Sequence, residues 1–144
     1  MRADYRKLNP DSLRALSSIK KLTGSIDPAL QAIVEIRISQ MNGCAYCVES
    51  HSREARHAGI SQQRLDCLPV WEESDLFDER ESAALAWAEA LTHTASSKVD
   101  EEDYDLLLEY FTEQEIVDLT IIIAAMNAWN RIGVGFGVKP IVQE

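Results

Sequence analysis

The sequence is short of positive charge. Its 144 residues hold 14 Lys and Arg against 24 Asp and Glu, a net charge of −10. No basic cluster stands out beyond Lys20-Lys21. Nucleic-acid binding is driven by neutralising phosphates, and attraction to anionic membranes by clustered lysine and arginine. The charge balance argues against both classes and serves solubility instead. An apolar leader is missing too: MRADYRKLNP contains nothing resembling the hydrophobic part of a secretory signal. The longest apolar stretch, Ile116 to Met126, is interrupted by Asp118 and is too short to span a bilayer. These absences point to the cytoplasm. There Cys44, Cys47 and Cys67 are expected mostly reduced, and three cysteines do not make a disulfide framework. Period-two alternation bounded by turn signals is absent, and so is any internal repeat.

What is present is helical periodicity from end to end. The length suits one domain over residues 1–144, and a hydrophobic share of 46% is enough for a core. A domain of this size leaves apolar surface uncovered, which suits assembly into oligomers. Asn9-Pro10 starts a first helix with Leu13, Leu16, Ile19 and Leu22 at helical spacing, before Gly24. Asp27-Pro28 starts a second, burying Leu30, Ile33, Val34, Ile38 and Met41. Asn42-Gly43 interrupts that run, and Asn42 is expected to cap a third helix ending near Gly59. Ser61 caps a short segment through Leu68, stopped by Pro69, and residues 70–77 read as a connection. Asp78 with Glu81 forms a capping-box start for a helix to about Leu91. Asp100 opens another, containing Tyr104, Leu107, Leu108 and Phe111. Thr112 with Glu115 begins the most apolar helix, closed by Gly133, Gly135 and Gly137. The fold class expected is all-α, in one domain without linkers.

The third helix holds the chemistry. At about 100° per residue, Cys44, Cys47 and His51 fall within about 60° of one another on its circumference. Cys44 lies in the first turn, where free N–H groups and the helix dipole favour a thiolate. Cys47 can reach His51 one turn on, and a nearby imidazole or helix N-terminus lowers a thiol pKa well below about 8.5. Two thiols at this spacing can close a disulfide, the minimum equipment of a redox centre. Other readings compete. Structural zinc needs four ligands: His51 supplies a third and Cys67, His57 or His93 a fourth, but the usual second close pair is absent. Haem attachment requires histidine directly after the second cysteine, where Val48 stands. A thioredoxin fold requires strands around the motif. Simple packing of small apolar cysteines also remains, and for Cys67 that is the preferred reading. In the last helix Asn127 and Asn130 need partners, sought in backbone or the cysteine helix, while Trp87 and Trp129 read as core or interface anchors.

RISQMNGCAYCVESHSREARHAG, residues 37–59, resembles the signature of the alkylhydroperoxidase D-like branch of the carboxymuconolactone decarboxylase superfamily. MNAWNRIGVGFG, residues 126–137, is similar to that branch's final helix, so the resemblance covers nearly the whole chain. It implies an all-helical fold assembling into dimers, trimers or hexamers, and a thiol-dependent peroxidase needing neither metal nor organic cofactor. By the family pattern Cys47 is the peroxidatic cysteine and Cys44 the resolving one, with His51 in a proton relay. The external dithiol reductant would be a thioredoxin-like or lipoyl-bearing protein. The family's relay glutamate lies twelve residues before the first cysteine, and here that position is Ala32. Glu35, about 60° around the same helix, is the nearest substitute, and Tyr46 is a further relay donor. The lactone-processing branch does not depend on a cysteine pair, which weighs against decarboxylation. Two rivals stay open: a disulfide reductase or redox sensor using the same pair, and a non-catalytic helical oligomer whose Cys/His cluster binds zinc or only packs.

Overall fold

The computed structural model describes residues 1–142. Within them eight α-helices follow one another: α1 Tyr5–Leu8, α2 Pro10–Leu22, α3 Pro28–Met41, α4 Ala45–His57, α5 Gln62–Cys67, α6 Glu79–Thr92, α7 Glu101–Tyr110 and α8 Glu113–Phe136. No strand occurs among the described residues, so the all-α expectation holds.

The starts are chemically specified. Asp27 accepts from the Leu30 N–H at 2.9 Å, and Pro28 takes the first helical position, where no N–H is missed. Asp78 with Glu81 and Thr112 with Glu115 form complete capping boxes at the heads of α6 and α8.

The core gathers around α3. Every residue from Leu30 to Ile36 is buried, and so are Ile38 and Ser39. This helix therefore has no solvent face over its middle turns, and α4, α6 and α8 pack around it. From α8 come Ile116, Leu119, Ile122, Ile123 and Met126; from α6 come Leu85 and Trp87, whose Nε1 donates to Thr120 Oγ1 at 3.0 Å. Contrary to the expectation from the sequence, α8 is long and apolar enough to cross a membrane; its Ile116, Leu119, Ile122, Ile123 and Met126 pack into the core, while Val117, Ile121 and Val134 are exposed.

Several boundaries differ from the sequence reading. The turn α1 was not foreseen; it is tied down by Tyr5, stacked on Phe136 with ring centroids 5.0 Å apart. Leu68–Glu73, assigned to the end of one segment and to a connection, forms a 3₁₀ stretch broken at Val70. Gly133 and Gly135 do not close α8. The helix runs through both and ends at Gly137, whose φ of 67° is the left-handed conformation a glycine accepts without strain. Asn42 does not cap the cysteine helix. It ends α3, and Gly43, with φ 68°, turns the chain so that Cys44 becomes the cap of α4. None of α2 is buried: Leu13, Leu16 and Ile19 are half-buried and Leu22 is exposed.

Asn42 is free for another task. Its amide donates to Asn127 Oδ1 at 2.9 Å and to Asn130 Oδ1 at 3.0 Å. Asn130, fully buried, donates in turn to Ser39 Oγ at 3.0 Å, and Ser39 Oγ donates to the Glu35 carbonyl at 2.7 Å. The amides of the last helix thus clamp the end of α3, not the cysteine helix itself, and fix the turn that leads into Cys44. A buried polar group left without its partner costs about 1–3 kcal/mol. Asn130→Ala removes one acceptor of Asn42 and the donor to Ser39, leaving each with its other bond, to Asn127 and to the Glu35 carbonyl; it lowers unfolding free energy by about 1–3 kcal/mol, measured by urea denaturation. A loss below about 0.5 kcal/mol would show that the clamp contributes little.

Candidate active site

Cys44 and Cys47 form a disulfide, with their Cα atoms 5.3 Å apart. Helical phase does not bring them together as expected, because Cys44 is outside the helix with non-helical backbone angles. An N-cap side chain folds back over the first turn, and Cys44 Sγ accepts from the Cys47 N–H at 3.3 Å. The pair therefore sits on the positive end of the α4 dipole. Both residues are buried, but they differ in access: Cys47 lines a cavity of about 750 Å³, and Cys44 does not. Behind them stands Gly133 of α8. A Cβ there would lie 3.0 Å from Cys44 Sγ and 3.6 Å from Cys47 Sγ, so hydrogen is the only side chain that lets α8 approach the pair unhindered.

One turn beyond the cysteines, His51 meets α3. Its Nδ1 is 3.1 Å from Glu35 Oε2 and 3.4 Å from Glu54 Oε2. The distances are those of ion pairs, yet neither His51 Nδ1 nor Glu35 Oε2 has a well-aligned hydrogen-bond partner. The other Glu35 oxygen accepts from Gln31 Nε2 at 2.8 Å. Lys20 reaches in from α2, 3.1 Å from Glu54 and 3.9 Å from Glu35. Burial alone opposes charge on the imidazole, but the contacts with Glu35 and Glu54 outweigh it and raise His51 to about 9. Contact with His51, reinforced by Lys20, overcomes partial burial and lowers Glu54 to about 2. At neutral pH His51 is thus an imidazolium held between two carboxylates.

The sequence expectations meet this geometry unevenly. Cys44 and Cys47 are joined, and Glu35 is buried against His51, while the family's usual position, Ala32, is an ordinary buried alanine. Tyr46 lies on the cavity wall with its hydroxyl turned toward Arg6, which donates to it at 3.5 Å. The only cluster of candidate metal ligands among the described residues is Glu35, His51 and Glu54, which contains neither cysteine. Cys67 is half-buried outside any disulfide, and His57 and His93 are exposed at helix ends. Glu54, Gln31, Lys20 and Gly133 escaped the sequence reading. Glu54 at i+3 from His51 and Gln31 at i−4 from Glu35 were visible by helical spacing; Lys20 and Gly133 carried no local signal.

An all-helical chain with a two-cysteine disulfide at a helix N-terminus, beside a carboxylate–imidazole pair, defines a class of helical dithiol proteins. The family model described as the carboxymuconolactone decarboxylase family matches residues 10–90, and the chain belongs to that family. It is 37% identical over 138 residues to the uncharacterized protein YdfG of Bacillus subtilis, covering 94% of each chain. With the uncharacterized protein YnjA of Escherichia coli it shares 30% identity, covering 76% of this chain and 59% of that one. Among solved structures it is similar to ATU0492 of Agrobacterium tumefaciens, a protein of unknown function whose name links it to the antioxidant defence protein AhpD. The TM-score is 0.94 with 34% identity and 99% of both chains covered. The debrominase Bmp8 gives a TM-score of 0.82 with 25% identity, over 94% of this chain and 74% of that one. Family and cysteine pair together are consistent with peroxidase-type chemistry.

Two measurements test the site's physics. A methyl group added at Gly135 would meet no neighbour within 4 Å, in contrast to Gly133 on the same helix. Gly135→Ala raises thermal stability through helix propensity, by about 0.5–1 kcal/mol. Gly133→Ala lowers it by about 1–2 kcal/mol through pressure on Cys44 Sγ; equal effects at both positions would contradict the close approach. The His51 value lies above 6.5, so its contacts add stability that is complete below about pH 6.5 and vanishes as the pH rises through about 9. An NMR titration of the oxidised protein gives a His51 midpoint near 9, and Glu35→Gln moves it down toward 6.5. An unmoved midpoint would remove Glu35 from the pairing.

Proposed function

We propose that the protein is a thiol-dependent peroxidase in which Cys47 is the attacking residue. The observation that carries this reading is the asymmetry of the pair: Cys47 faces the cavity that also holds His51 and Glu35, and Cys44 lies behind it. In the reduced protein the α4 N-terminus and the His51 imidazolium favour a Cys47 thiolate. The thiolate sulfur attacks one peroxide oxygen and the O–O bond breaks. Cys47 becomes a sulfenic acid, and His51 gives its proton to the departing alkoxide or hydroxide. Glu35 holds the imidazole in place and favours its reprotonation. The Cys44 thiol then condenses with the sulfenic acid, releasing water and forming the disulfide. An external dithiol, supplied by a thioredoxin-like or lipoyl-bearing protein, returns both thiols by exchange and is itself oxidised. Such a cycle suits the reducing cytoplasm and needs no metal or organic cofactor; a homo-oligomer fits the apolar residues left exposed on α7 and α8, such as Leu108, Val117 and Ile121.

The deciding experiment follows organic peroxide consumption with an excess of dithiol. Cys47→Ser abolishes turnover. Cys44→Ser consumes about one equivalent and stops as a trappable sulfenic acid. His51→Asn and Glu35→Gln retain the thiols and lose activity, the histidine variant by about 10²–10⁴-fold. The debrominase shows that this fold serves other reactions, so disulfide cycling without peroxide loss would favour a disulfide reductase or redox sensor instead.

A further inference from the structure

The contact between α3 and α4 gathers three possible metal-ligand atoms. Glu35 Oε2, His51 Nδ1 and Glu54 Oε2 all lie within 4.8 Å of one another. Two of these atoms, on Glu35 and His51, are buried with no aligned hydrogen-bond partner. The Glu35 side chain is only 9% exposed, and Oε2 is the oxygen turned toward His51. We propose that these three residues form a binding site for one divalent metal ion of the zinc type, which displaces the His51 Nδ1 proton into solvent and competes with the Lys20 ammonium for the same two carboxylates.

The spacing suits such an ion. Around a tetrahedral zinc with bonds of about 2.0 Å, ligand atoms lie about 3.3 Å from one another. Nδ1 is 3.1 Å from the Glu35 oxygen and 3.4 Å from the Glu54 oxygen, so both His51 edges are already in place. Glu54, on the half-exposed face of α4, is free to close the remaining edge. One imidazole and two carboxylates are borderline-to-hard donors, which select zinc, cobalt or manganese over soft monovalent copper. Three protein ligands leave a fourth position toward the cavity, where water completes the shell. Lys20 is the occupant to be displaced. Its side chain is 55% exposed on a helix with no buried residue, so it can swing into solvent at the cost of surface ion pairs alone.

Binding itself does not depend on the peroxidase reading. On that reading, though, the ion ties up the relay imidazole and carboxylate, so it acts as an inhibitor and Lys20 as the group that keeps the relay free.

The test uses the full chain with Cys67→Ser, stripped with chelator and held in the disulfide form, so that no thiol can bind metal. Zinc chloride is titrated in by calorimetry. One saturable equivalent per chain is expected. Glu54→Gln, at a half-exposed position that leaves folding intact, weakens binding by at least about tenfold, since even second-sphere losses cost 10–100-fold. Lys20→Met tightens it. Absence of saturable binding, affinity unchanged in Glu54→Gln, or affinity unchanged or weaker in Lys20→Met overturns the proposal. The disulfide form reduces no peroxide, so the result stands apart from any outcome of the activity assay.

Discussion

A carboxylate in the middle of the most buried helix sets the terms for the site. Glu35 shares its turns with Ile33, Val34, Ile36 and Ile38, all within the core. An unpaired charge in such a place costs several kcal/mol. The structure surrounds it instead. Gln31 holds one oxygen from the preceding turn, His51 meets the other from α4, and Lys20 adds a second positive charge from α2. Three helices are thereby committed to one position, and the imidazole next to the cysteines is charged because of it.

The cysteines depend on a different constraint, the closeness of α8. Gly133 admits the sulfur atoms, and the amides of Asn127 and Asn130 fix the end of α3 through Asn42 and Ser39. The turn at Gly43 then delivers Cys44 as the cap of α4. A sulfur at the cap is held against a backbone N–H and lies where the helix dipole is strongest. The pairing of Cys44 with Cys47 follows from that one turn. The cavity itself is roofed by α2, whose Leu13, Leu16 and Ile19 line it without being buried.

Much of the architecture was legible from local chemistry. The capping boxes at Asp78 and Thr112 and the Asp27-Pro28 start act within a single turn, so the sequence states them outright. The interior glycines of α8 misled because a glycine ends a helix or admits a neighbour, and only the neighbour tells which. Asn42 misled for the same reason: its preference for a cap was overruled by two amides 85 and 88 residues away. Its neighbour Cys44 took the cap, a place for which thiols have little intrinsic preference.

By itself, then, the chain determined the main helices, their order, the three-residue spacing of Cys44 and Cys47, and membership of a recognisable family pattern, because these rest on contacts a few residues long. Tertiary packing alone decided that Glu35 meets His51, that Lys20 and Glu54 join it, and that Cys47 rather than Cys44 lines the cavity. Those outcomes depend on which faces of α2, α3, α4 and α8 are pressed together, and helical periodicity leaves that choice open until the core has packed.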